Sequence, residues 1–242
     1  MIDLFNKKPV LATLMTMVAM FSTVNAQQKS KAEEPLSPKQ ESIIVIASYT
    51  AQGGLENLHQ ALGTGLDNGL TVNQIKEAIV HAYAYCGFPR SIRGLQTFME
   101  VLDERKARGI NDDWGPEASP IADERNKYER GAETLYELTG KKWDKPESGY
   151  GAFSPEIDRF LKEHLFADIF ERDVLSYAER ELVTVSVLSG IGGVEPMLRS
   201  HLNICLNVGL TPKQLQQFAG IIKRTIGKQE AKAVQTALDE VL

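Results

Sequence analysis

"LSPKQESIIVIASYTAQGGL", residues 36–55, holds the β-branched run "SIIVIASYT" (42–50), which taken alone fits a buried strand. The start of the stretch decides otherwise. Ser37 stands three residues before Gln40, the spacing of a capping box, and Pro38 falls at the first helical position, where its missing N–H costs nothing. A strand needs neither device. The stretch therefore reads as a helix, apolar on most of its surface, stopped by Gly53 and Gly54.

The same pattern returns at 175–194, "LSYAERELVTVSVLSGIGGV", with Leu-Ser at the start, Gly-Gly at the end and a capping box of Ser176 with Glu179. A second matched block follows each copy: "LGTGLDNGLTVNQIKEAI" at 62–79 and "LNICLNVGLTPKQLQQFA" at 202–219, in register apart from one extra residue in the second copy. Thr71 with Gln74, and Thr211 with Gln214 behind Pro212, repeat the capping device, and Ser154-Pro155-Glu156 opens a further helix. The chain is thus an internal duplication of one unit: helix, Gly-Gly turn, helix, Gly-Leu-Thr turn, helix. No alternating strand pattern competes with it, and the predicted fold is all-α, two tandem helical repeats.

The first repeat is expected over 36–110. A linker over 111–153 follows, carrying a charged helix at about 122–139 between the turn-rich segments "GINDDWGPEASPIADE" and "GKKWDKPESGYGAFSP". The second repeat occupies 154–242, led by the amphipathic segment "EIDRFLKEHLFADIFERDV". Most charge in these segments is expected on solvated faces. Ahead of the repeats, Lys7 and Lys8, the apolar run "PVLATLMTMVAMF" and "VNA" before Gln27 have the order of a secretory signal, residues 1–26. Residues 27–35 are then a polar, disordered lead-in. The apolar run is short for a bilayer span, so the expected product is exported, periplasmic or secreted, without a retained membrane anchor.

The net charge of −5 over 242 residues, with Lys and Arg mixed among Asp and Glu, offers no basic stripe for nucleic acid. Two cysteines are too few for a disulfide scaffold, although a single Cys86–Cys205 bridge stays open on sequence grounds. The four histidines lack metal-ligand spacing, and no glycine-rich phosphate loop or nucleophile elbow is present. Neither a metal nor an intrinsic cofactor is indicated.

Chemistry concentrates in "IKEAIVHAYAYCGFPRS" (75–91) and "RSHLNICLNVGLT" (199–211). Glu77 and His81 are one helical turn apart, and a carboxylate beside an imidazole orients the ring and raises its basicity. The plainer alternative is an exposed helical contact worth a few tenths of a kcal/mol. Cys86 ends a helix that Gly87 and Pro89 stop, where the dipole opposes a thiolate; a reactive thiol would need a cation such as Arg90 or Arg93 beside it, and a buried inert thiol competes equally. His201 and Cys205 lie one turn apart on an otherwise apolar stripe, so a satisfied core histidine competes with a functional one. Between the copies, Ala61 faces His201, Gln217 faces Glu77 and Ile226 faces Cys86. Each copy keeps part of a polar set, which suits one composite site between the repeats.

On these residues the chain resembles the carboxymuconolactone decarboxylase family, within the alkylhydroperoxidase D-like superfamily. "LTVNQIKEAIVHAYAYCGFPRS", "LSYAERELVTVSVLSGIGG", "SHLNICLNVGLT" and "FLKEHLFADIF" carry the resemblance, which spans nearly all of 36–242. It implies an all-helical repeat protein that forms homo-oligomers and acts on small molecules. It also implies two chemistries: cofactor-free decarboxylation of carboxylated lactones, and peroxide reduction through a Cys-x-x-Cys pair. Carried onto this sequence, Glu77, His81 and His201 form the polar catalytic set, Tyr85 and Cys86 its rim, with Tyr85 and Arg90 toward substrate. The Cys-x-x-Cys pair is missing, so redox turnover would rest on Cys86 and Cys205. Export departs from the cytoplasmic setting expected of aromatic-acid breakdown. The leading expectation is an acid–base lyase; the alternatives are a thiol-dependent peroxidase of peroxiredoxin type and a non-enzymatic exported binding protein.

Overall fold

The computed structural model describes residues 34–142 and 148–242. The expected signal segment, 1–26, and the lead-in as far as residue 33 lie outside them. Residues 36–242 form one unit. It is all-helical, with no strand among the described residues.

The first repeat supplies α1 (Pro38–Gln52), α2 (Leu55–Asp67) and α3 (Val72–Ala107); the second supplies α7 (Tyr177–Ile191), α8 (Glu195–Asn207), α9 (Pro212–Thr225) and α10 (Lys228–Val241). Between them lie α4 (Lys127–Thr139), α5 (Gly149–Phe153), α6 (Pro155–Phe160) and a π-helical segment (Leu161–Ile169). All four expected capping boxes form, at Ser37, Thr71, Ser176 and Thr211. α1 and α7 pack on each other at the centre, which explains why both are apolar nearly all round. Their buried hydroxyls, Ser48, Thr50, Ser186 and Ser189, donate to carbonyls four residues back, so none of these four is stranded. The repeats exchange partners across this centre: α3 packs on α7, and α9 packs on α1.

Three expectations need correcting. The charged helix begins at Lys127 rather than about 122, because Asn126 caps it by accepting the Glu129 N–H at 3.0 Å. The amphipathic segment is a short α-helix that widens into the π segment, where the Phe170 N–H reaches back to the Leu165 carbonyl. The stop at Gly87 is real (φ 81°, ψ 160°), but helix resumes at once and α3 turns a corner without a loop. The segment that leads the second repeat also buries one charge. Lys162 is 1% exposed, held by Asp158 and the Tyr128 hydroxyl beside a second core of Leu138, Phe166 and Phe170. Gly131 lets α4 close onto this segment, since a Cβ there would stand 1.8 Å from the Lys162 carbonyl oxygen.

Candidate active site

The exchange of helices brings α3 of the first repeat against α7 of the second, with Tyr85 of α3 reaching His201 on α8, and a row of polar groups fills the seam. Glu77 is 3% exposed and His81 is fully buried, so the exposed Glu–His contact does not form. Each residue bonds instead to Arg180 of α7. Arg180 Nη2 donates to Glu77 Oε1 at 2.7 Å, and Nη1 stands 3.2 Å from His81 Nδ1. Arg172 Nε adds bonds to both Glu77 oxygens at 2.9 and 3.0 Å. Two guanidiniums thus neutralise one buried carboxylate and leave a positive excess.

These contacts fix the state of His81. A guanidinium only donates, so Nδ1 accepts, and Nε2–H donates to Thr184 Oγ1 at 2.9 Å. The Thr184 hydroxyl hydrogen is directed to the Arg180 carbonyl at 3.0 Å. His81 is therefore a neutral imidazole. Burial first, then Arg180 and His201, push its pKa well below the usual value of 6.5. The π segment contributes by laying Phe170 edge-on to the His81 ring, 5.0 Å between centroids, and by delivering Arg172 to Glu77.

Tyr85, one further turn along α3, lies between the two histidines, with ring centroids 5.6 Å from His81 and 5.8 Å from His201. Burial and the Glu181 charge drive its phenol pKa far up, so the hydroxyl stays protonated. His201 on α8 is not an isolated core histidine: its Nδ1 stands 2.8 Å from Oε2 of Glu181, which is fully buried. The carboxylate accepts Nδ1–H and turns Nε2 outward, on a side chain that is 15% exposed. Four buried side-chain polar atoms among the described residues lack a hydrogen-bond partner. Three of them, Tyr85 Oη, Arg180 Nε and Glu181 Oε1, belong to this row. Orphaned groups are few in folded proteins, so their concentration at one seam marks a site rather than a packing fault.

The thiols stand apart from this chemistry. Cys86 and Cys205 are both free. Cys205 is fully buried, and burial followed by Glu181 raises its pKa well above normal. Cys86 is half-buried, donates to the Ala82 carbonyl at 3.2 Å and is also pushed up by burial. It lines a separate open groove of about 590 Å³ with Arg90. Arg90 lies over Gly53, where a Cβ would fall 1.6 Å from its Nη1, and is not brought to the histidines. A cluster of three or more metal-binding side chains does not occur among the described residues.

The matched positions of the other seam show how one-sided the duplication has become. Where α3 and α7 offer Glu77, His81, Tyr85, Arg180, Glu181 and Thr184, α9 and α1 offer Gln217, Ile221, Thr225, Glu41, Ser42 and Val45. Gln217 there accepts the Leu36 N–H at 2.9 Å, a structural bond. Sequence reasoning missed Arg172, Arg180, Glu181 and Thr184. The available signal was "AERELV", where Arg180 and Glu181 follow the capping-box Glu179 inside a helix otherwise fit for the core.

A duplicated all-helical scaffold with one composite carboxylate–guanidinium–imidazole site defines the class. The chain belongs to the carboxymuconolactone decarboxylase family, whose profile matches residues 17–98 and again 155–240. It is similar to a 4-carboxymuconolactone decarboxylase of Acinetobacter baylyi, 29% identical over 93 residues, covering 38% of this chain and 69% of that protein.

Proposed function

We propose that the protein is an acid–base enzyme acting on a small carboxylated or lactone substrate, with His201 as the proton-transferring group. The Glu181–His201 pair carries this reading, because a buried carboxylate on Nδ1 leaves Nε2 facing outward as acid or base. In a decarboxylation the C–C bond to the carboxylate breaks, CO2 leaves, and the electron pair spreads into the adjacent carbonyl as an enolate. His201, having taken a proton from solvent on Nε2 while Nδ1–H stays on Glu181, then gives that proton to the carbon. Glu77 and His81, whose polar atoms are occupied by Arg172, Arg180 and Thr184, act as positioning residues.

The test is CO2 release from a panel of small carboxylated lactones by the wild type, His201→Ala and Glu181→Gln. Turnover by the wild type and a loss of about 10²–10⁴-fold in His201→Ala support the reading. Peroxide consumption that depends on Cys86, with no lactone turned over, overturns it in favour of the thiol peroxidase.

The reading includes export after removal of residues 1–26, supported by the order of basic, apolar and small residues there. N-terminal sequencing of protein from the cell envelope checks it; an intact Met1 start rejects it. It also includes self-association, supported by the exposed Tyr150, Phe153 and Phe160, with Phe153 at 93%. Sedimentation showing only monomer at micromolar concentration rejects that part.

A further inference from the structure

At the Glu77 end of the polar row the surface opens into a depression of about 270 Å³ lined by Asn73, Lys76, Glu77, Glu117 and Arg172. Its walls are fixed by the backbone. The first two N–H groups of α3, of Val72 and Asn73, donate to the carbonyls of Asp113 and Trp114 at 2.9 and 3.0 Å. The Asn73 side-chain amide donates to the carbonyls of Gly115 and Pro116, which seats Glu117 and Ala118 over Glu77.

The donors in this depression are not used up. Arg172 spends Nε on Glu77, while its Nη1 and Nη2 make no hydrogen bond among the described residues, and its side chain is 42% exposed. Lys76 Nζ donates to Asn73 Oδ1 at 3.0 Å and lies 5.6 Å above the Trp114 ring, with further N–H capacity to spare. The facing carboxylates differ in state. Glu77 is neutralised from below by Arg180, Asp173 accepts the Ser119 N–H, and Glu117 stands exposed without a cation partner among the described residues.

We propose that this depression is a carboxylate-recognition pocket, in which Arg172 Nη1 and Nη2 take a planar carboxylate side by side, Lys76 closes on it from α3, and Glu117 opposes it. The fork of a guanidinium matches the two oxygens of a carboxylate, and the ammonium adds a point charge beside them. His201 does not line this depression and meets α3 at Tyr85, about 12 Å along the helix from Glu77, so the pocket is a carboxylate site separate from the His201 centre, and the proposal goes beyond the acid–base reading rather than resting on it.

Binding is measured apart from turnover, by titrating succinate and its neutral analogue succinamide in a Trp143→Phe background, so that Trp114 fluorescence reports on the pocket. Lys76→Met, Glu117→Gln and His201→Ala are compared in the same background. Saturable binding of succinate but not succinamide is expected. Lys76→Met should weaken it about tenfold or more, Glu117→Gln should tighten it severalfold, and His201→Ala should leave it unchanged. Succinate affinity that ignores Lys76 and Glu117, or is matched by succinamide, overturns the pocket and leaves the His201 assignment intact. Binding with this pattern but no lactone turnover sinks the acid–base reading and leaves the pocket.

Discussion

Arg180 of the second repeat donates to Glu77 of the first at 2.7 Å and, through its other terminal nitrogen, meets Nδ1 of His81 at 3.2 Å. One fully buried side chain thereby sets the charge balance of a carboxylate and the tautomer of an imidazole, and ties the two repeats together.

Removing that side chain should be costly. Arg180→Met leaves Glu77 buried with only Arg172 beside it, and loss of one partner of a buried pair costs about 3–5 kcal/mol. In the double variant Arg180→Met, Glu77→Gln no uncompensated carboxylate remains. Chemical denaturation should therefore show the double variant recovering part of the loss, a coupling that independent sites would not show.

His81 gives stability a pH dependence of definite sign. Its pKa is lowered in the fold, so above about 6.5 it is neutral in both folded and unfolded chains and its contribution is complete. As pH falls below 6.5 the unfolded chain takes up a proton that the folded one refuses, and stability declines by at most about 1.4 kcal/mol per pH unit from this group. His81→Gln, whose amide can accept from Arg180 and donate to Thr184, should remove that part of the slope between pH 6.5 and 5. Denaturation midpoints measured on both proteins across that interval check it. A wild type that gains stability over His81→Gln as pH falls would mean a charged ring.

Cys86→Ser should leave most turnover intact, because the thiol sits in its own groove with its pKa raised and Cys205 unbridged. Glu181→Gln keeps the shape but weakens the charge behind His201, and should lower kcat on the order of tenfold to a hundredfold with a smaller change in KM. Steady-state kinetics of the two variants on one substrate check the order.

Gly131→Ala should destabilise the α4 and π-segment hairpin. The added methyl meets a backbone oxygen rather than a flexible side chain, so relief requires the two helices to part. A loss of about 1–3 kcal/mol or more is expected, read as a drop in thermal midpoint. Since this hairpin delivers Phe170 and Arg172, activity should fall along with stability.

The helices were legible because their signals are local. Ser37 with Gln40 and Ser176 with Glu179 are contacts three residues apart, formed by the helix itself, and the duplication was visible as matched text. Part of the candidate site was legible too: Glu77 and His81 by their one-turn spacing, His201 by the Ala61 that faces it in the other copy, and Tyr85 by the family resemblance. The sequence also implied that the two copies complete one another.

What those groups do to each other was decided by tertiary structure. Arg180 reaches Glu77 across 103 positions of chain, and only the packing of α3 on α7 buries both and removes the water that would otherwise separate them. That burial turned an expected Glu77–His81 pair into two separate partners of one guanidinium and made His81 neutral. The packing of α8 on α7, within the second repeat, set His201 Nδ1 against Glu181 and left its other nitrogen facing outward. Spacing along a helix specifies which side chains share a face; the charge each carries depends on what the opposing helix brings and on how little solvent remains between them.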